Sequence, residues 1–266
     1  MEKGKMELQP EQVGSALDVI VKASIPLIVV SPGDLEPEGF GSGCIVRHRE
    51  RLFLLSVAHV TDYEGKSTCI ITNQLPKDGK GVIYSVGAMC FFDEYKLAKD
   101  QILEEIQSLD DLLQNFNETL DVTFCEIKEP IELIQPETDF IYHKIEKGRK
   151  IIFDFDAIDN PDKSKVYGFS GYIRQEINPG KIESQITLKI GLTFHKTKGR
   201  FHMFLADKII RDADDYRGCS GAPIVDEEGK LVALAASVLK NSQIVFGFSI
   251  HECKRLLDHA IETNLL

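Results

Sequence analysis

Most of this chain reads as short strands, and that pattern limits the folds open to it more than any other feature. Runs rich in Val, Ile and Phe recur at Ile25–Val30, Gly43–Arg47, Leu52–Ser56, Thr68–Thr72, Val82–Phe92, Val122–Ile127 and Lys150–Phe155. They continue at Lys165–Gly168, Ile186–Leu192, Lys208–Ile210, Ala222–Val225, Leu231–Ser237 and Ile244–Ile250. Gly, Pro, Asn and Asp punctuate them, as turns between strands require. Many short strands without intervening βα alternation point to an all-β sandwich or barrel rather than a doubly wound sheet.

Two segments break the pattern. His251–Thr263 follows Ser249, a plausible cap, and reads as a C-terminal helix. Between Asp93 and Phe116, the residues Ile102, Ile106, Leu109, Leu113 and Phe116 follow a 4-3-4-3 spacing, with Glu104, Glu105, Asp110 and Asp111 off the stripe. The spacing predicts an amphipathic helix, packed on the barrel or offering a surface to a protein partner.

With 266 residues, 43% of them hydrophobic, the chain can bury one large core or two fused ones. A net charge of −11 argues against nucleic acid as a general partner, because phosphate backbones are repelled. The first apolar run, from Ala16 to Val30, is broken by Asp18, Lys22 and Pro26, so neither a secretion signal nor a membrane span is expected. Six scattered cysteines form no Cys-x-x-Cys pair, which gives no zinc or redox motif. Reduced, buried thiols, no disulfide and a cytoplasmic location are the expectation.

Three segments carry chemistry when taken together: Ser56-Val57-Ala58-His59-Val60, Leu120-Asp121-Val122-Thr123-Phe124, and Gly218-Cys219-Ser220-Gly221-Ala222-Pro223. A hydroxyl needs a base with a pKa near neutrality to become a nucleophile, and histidine provides one. A carboxylate fixes the imidazole tautomer, and backbone amides beside the nucleophile stabilise the oxyanion. These roles fall to His59, Asp121 and Ser220, with the amides of Gly218 and Ser220 as oxyanion donors. Each segment alone is ambiguous: a histidine beside Ala and Val is commonly a core residue, and Gly-Cys-Ser-Gly can be any tight turn. The chain order His, Asp, Ser separates this arrangement from subtilisin and the α/β-hydrolases.

The segments resemble those of trypsin-like (chymotrypsin-fold) serine proteases, in style nearest the bacterial intracellular and HtrA-type members. Gly41-Ser42-Gly43-Cys44-Ile45-Val46 with Ser-Val-Ala-His-Val resembles their histidine region. Leu-Asp-Val-Thr-Phe-Cys-Glu-Ile resembles the aspartate strand, and Tyr216 to Ser237 resembles the nucleophile loop and following hairpin. The resemblance covers about Ser24 to the C-terminus. It implies two antiparallel six-stranded β-barrels with a helical insertion near 93–117 and a C-terminal helix. The expected divisions are an N-terminal extension (1–23), a first barrel with His and Asp (24–140) and a second barrel with the nucleophile (141–266). It also implies a substrate-binding strand at Ala236, Ser237 and Val238, a pocket wall at Gly247, and a pocket base at Asp214. A buried carboxylate at that base would select Arg or Lys.

Several family features are missing. Val60 stands where secreted members carry a bridged cysteine, and Cys219 where zymogens carry an aspartate. Ser220, which directly precedes Gly221, is read as the nucleophile in preference to Cys219. The resemblance implies a serine endopeptidase that needs no cofactor or metal and takes a protein or peptide substrate. A catalytically silent protease-fold binding module and a serine esterase remain as alternatives.

Overall fold

Six consecutive apolar residues, Ile25–Val30, form strand β1, and all six are buried. In the computed structural model, the structure describes residues 15–31, 37–73, 83–87, 89–90, 120–129, 131–141, 143–178 and 181–266. The helix expected near 93–117 lies outside the described residues.

The first sheet is built from β1, β2 (Pro37–His48), β3 (Arg51–Ser56), β4 (Ser67–Ile71), β5 (Ile83–Gly87) and β6 (Thr123–Glu126). Its order is β5-β4-β1-β2-β3-β6. The sheet curls until Cys90, just past β5, exchanges two backbone hydrogen bonds with Phe124 of β6, at 2.9 and 3.0 Å. The ladders leave this unit a half-barrel, whereas the second unit closes fully.

Strand alternation divides the apolar residues between two cores. Leu54, Ile45 and Cys125 point into the first barrel with Ile25, Leu27 and Ile70. Phe53, Leu55, Cys44, Val46 and Phe124 point the other way, into a core shared with the C-terminal half. The chain then makes short paired segments, β7 (Ile134–Gln135) with β10 (Gly148–Arg149) and β8 (Thr138–Asp139) with β9 (Lys144–Ile145). It returns to the first sheet as β11 (Ile152–Asp154), parallel to β2.

The second unit is a closed barrel of β12 (Val166–Asn178), β13 (Lys181–Lys198), β14 (Phe201–Ile210), β17 (Ser242–Ser249), β16 (Leu231–Val238) and β15 (Pro223–Asp226), in that order. Phe169, Phe204, Ile224, Ala233 and Val245 fill its interior. This is the all-β, two-barrel architecture expected from the strand pattern; among the described residues the first barrel is joined between β5 and β6 by the Cys90–Phe124 bridge alone.

Among the described residues, three α-helices, α1 (Ala16–Ala23), α2 (Ala58–Thr61) and α3 (Ile250–Glu262), and one 3₁₀ turn, Ala213–Tyr216, complete the chain. On α3, Ile250, Cys253, Leu256, Leu257 and Ala260 are buried on one face against the shared core. Its last turns are tied to the β2–β3 turn, where His48 Nε2 lies 2.7 Å and Arg49 2.6 Å from Asp258. Among the described residues, no helix is long and apolar enough to cross a membrane. The six cysteines are free thiols, five of them buried.

Candidate active site

The end of β3 runs directly into Val57 and the single turn of α2, which carries His59. Asp121 lies just before β6, the antiparallel neighbour of β3, and the Ser56–Thr123 pair fixes the spacing between them. The His59 ring therefore meets the Asp121 carboxylate, with Nδ1 2.9 Å from Oδ2. A carboxylate only accepts, so Nδ1 carries the proton in this contact. The His59 backbone N–H donates to the other carboxylate oxygen at 3.1 Å. The Asp121 side chain is only 7% exposed, whereas that of His59 is 36% exposed and reaches the solvent side.

Ser220 arrives from the second barrel. Its loop is held against the strands that carry His59 by Ser42 of β2. The Ser42 N–H donates to Ser220 O at 2.8 Å, and its hydroxyl donates to Gly218 O at 2.8 Å. Ser56, three residues before His59, donates its hydroxyl to Ser42 O at 2.7 Å. Gly221 fits between these two serines with φ +86°, and any Cβ there would collide with Ser42 O and Ser56 Oγ. The docking thus places the Ser220 loop against the His59 segment. The Ser220 hydroxyl, however, donates to Ala236 O at 3.2 Å and not to the imidazole.

Ser42 was not singled out as a site residue in the sequence. The available signal was the alternation Gly39, Gly41, Gly43, which strips one face of β2 of side chains. A Cβ at Gly41 would strike Val60 of α2, and one at Gly43 would lie 2.6 Å from Leu55 O. The bare face lets the His59 turn approach β2 closely.

Residues 216–219 form a type II β-turn. Cys219 N–H donates to Tyr216 O at 2.9 Å, Arg217 has φ −64° and ψ 119°, and Gly218 has φ +99°. In this turn type the central N–H points away from the hydrogen-bonded chain. Among the described residues, neither Gly218 N–H nor Ser220 N–H has a backbone acceptor. Two such donors beside the Ser220 hydroxyl, one of them on Ser220 itself, are the kind of arrangement that can bind an oxyanion.

The specificity residues are arranged differently from expectation. Asp214 is exposed on a one-turn 3₁₀ helix, with its N–H donating to Asp212 Oδ1 at 3.0 Å. The burial on which selection of Arg or Lys depends is absent. Gly247 lies on β17 with its open side facing the barrel interior, where a Cβ would meet Ala233 and Ile224 at 2.8 Å. Core packing, not a pocket wall, demands glycine there. Ala236 is buried, and Ser237 and Val238 are half-buried on β16. These three lie beyond Leu234, where β16 parts from β15, while Ser237 and Val238 still pair with β17. Among the described residues, no group of three or more His, Cys, Asp or Glu side chains could hold a metal ion. Burial raises the Cys219 thiol to about 12, so the sulfur beside Ser220 stays protonated near neutrality.

No protein-family profile and no curated protein matches this chain. Solved structures do. A variant of the HtrA-type protease AlgW, with tripeptide, is 16% identical, with a TM-score of 0.47, over 93% of this chain and 63% of that one. The serine endoprotease from Yersinia pestis is 16% identical, with a TM-score of 0.49, over 94% of this chain and 68% of that one. The chain thus spans about two thirds of the length of the solved structures it matches.

Proposed function

We propose that the protein is a serine endopeptidase that works through an acyl-enzyme, with His59, Asp121 and Ser220 as its catalytic residues. The observation that carries this reading is the hydrogen-bonded His59–Asp121 pair on a segment docked, through Ser42 and Ser56, to a loop in which the Gly218 and Ser220 amides lie beside the Ser220 hydroxyl. The Ser220 hydroxyl rotates about a single side-chain torsion from Ala236 O to His59 Nε2. His59 takes the hydroxyl proton as Oγ attacks the substrate carbonyl carbon. The oxyanion forms between Gly218 N–H and Ser220 N–H. His59 then returns the proton to the leaving amine, and water reverses the sequence to free the acid. Asp121 holds Nδ1–H throughout and balances the imidazolium. The one-sided edge of β16 at Ala236–Val238 suits pairing with an extended substrate backbone.

The test is hydrolysis of a peptide library by the full chain, compared with Ser220→Ala and His59→Ala. Cleavage by the parent that both variants lose supports the reading, and cleavage that survives Ser220→Ala refutes it. Ester turnover without peptide turnover would make the protein an esterase.

One observation favours a second reading, a protease-fold binding module: Ser220 donates to Ala236 O and not to His59. Under that reading the folded parent cleaves nothing and binds peptides equally well with and without Ser220→Ala.

A further inference from the structure

Lys150 is a fully buried lysine far in sequence from the catalytic residues. Its Nζ lies within hydrogen-bond distance of four oxygens, Val21 O at 3.2 Å, Ser24 O at 2.6 Å, Gln135 Oε1 at 2.5 Å and Tyr172 Oη at 3.0 Å, which share its three N–H groups. These four oxygens come from α1, the turn before β1, the segment between the barrels, and β12. Among the described residues no carboxylate pairs with it, and burial drives the ammonium down to about 7. A cation without a counter-ion is a costly way to fill a core position that a methionine would fill more cheaply. What it provides instead is convergence: one group draws four chain segments to a point.

Tyr172 is the link to the active site. Its ring and hydroxyl are buried beside Lys150, with Nζ 5.4 Å from the ring centroid. Its backbone faces the nucleophile loop. A Cβ at Gly218 would overlap Tyr172 O and come within 3.7 Å of Ile173 Cα. One residue earlier, a Cβ at Gly171 would sit 2.7 Å from both Cys219 Cα and Sγ. The β12 backbone at 171–173 is thus the floor on which the Arg217–Gly218 turn rests.

We propose that Lys150 and Tyr172 are positioning residues for the oxyanion donors, holding the β12 backbone at the height that keeps the Gly218 amide aimed at the reacting carbonyl. The proposal rests on the serine-hydrolase reading above. Neither side chain touches substrate. Through Lys150, the seating of α1 and of the segment between the barrels reaches the catalytic loop.

The decisive variant is Tyr172→Phe in the full chain, which removes one oxygen and keeps the ring. Burst kinetics with p-nitrophenyl acetate separate the acylation rate from the binding constant, and ¹H–¹⁵N spectra report the Gly218 and Cys219 amides. Acylation is expected to slow about tenfold, a fraction of the loss on deleting an oxyanion donor outright. The binding constant should stay within about twofold, because ester binding makes little use of the donors before the transition state. The Gly218 amide resonance should move, and Lys150→Met should reproduce the same split. Unchanged acylation with an unmoved Gly218 amide would overturn the proposal, as would a rate loss that merely follows the fraction unfolded. A folded parent that gives no burst would refute the hydrolase reading instead. The spectra then still judge the coupling: a Gly218 shift in Tyr172→Phe supports it, and none overturns it.

Discussion

His59 and Asp121 are joined at two points, through the ring Nδ1 at 2.9 Å and through the backbone N–H at 3.1 Å. The carboxylate therefore fixes the tautomer of the ring and the position of the turn that carries it. Asp121→Asn keeps the shape and presents an amide where the acceptor stood. The variant should fold and bind substrate, but kcat should fall about 10⁴-fold because the wrong ring nitrogen is protonated. Steady-state kinetics on the substrate found by library screening checks this.

Gly218→Ala tests the oxyanion turn. The new methyl would overlap Tyr172 O, and φ +99° is a conformation that alanine avoids. The turn must reorganise, so acylation should drop by about 10²-fold or more, as when one oxyanion donor is lost. The stability cost should be about 1–3 kcal/mol. Denaturant titration alongside the acylation rate separates the two effects.

Gly247→Ala distinguishes core packing from a specificity role. The methyl would press on Ala233 and Ile224 inside the second barrel, costing about 1–3 kcal/mol by overpacking. The ratio of rates on matched Arg and Leu substrates should not change. Asp214→Ser should leave that ratio within about twofold as well, because the Asp214 carboxylate is in solvent. A ratio that shifts tenfold in either variant would restore that residue to the substrate pocket.

Stability should rise with pH in two windows. Burial lowers His202 to about 4 and Lys150 to about 7. Both groups bind fewer protons folded than unfolded between their folded and unfolded pKa values, so raising the pH there favours the folded state. The His202 window runs from about 4 to the ordinary histidine value of 6.5, and the Lys150 window from about 7 to the ordinary lysine value of 10.5. Urea midpoints measured from pH 4 to 10 should climb in both. His202→Phe should flatten the first window and Lys150→Met the second.

The sequence reveals the fold where burial is local. The bounds of β1 are legible because its apolar run stops at Ser24 and Ser31; α3 begins and ends one residue earlier than its spacing suggests, at Ile250 and Glu262, and the Ser249 side chain makes no cap hydrogen bond. β12 and β13 were read as four- and seven-residue strands. They span 13 and 18 residues, because antiparallel pairing carries them through polar positions such as Glu176 and Glu183. Propensity counts side chains and does not register a backbone ladder. At the site, the residue types and chain order identified His59 and Asp121, which the structure brings together. Ser42 and Lys150 carry no motif, and their roles depend on partners brought together only by folding, Gly218 for Ser42 and Val21, Ser24, Gln135 and Tyr172 for Lys150. Asp214 and Gly247 were placed by offset from a motif, and offsets carry no information about burial or about which way a strand faces.

The most direct test of the account is fluorophosphonate labelling of the folded protein, with the adduct mapped by mass spectrometry. The account predicts a single adduct on Ser220, abolished in Ser220→Ala and slowed at least about 10³-fold in His59→Ala, where the base is gone. Folded protein that stays unlabelled, or an adduct that maps elsewhere and persists in Ser220→Ala, would contradict it.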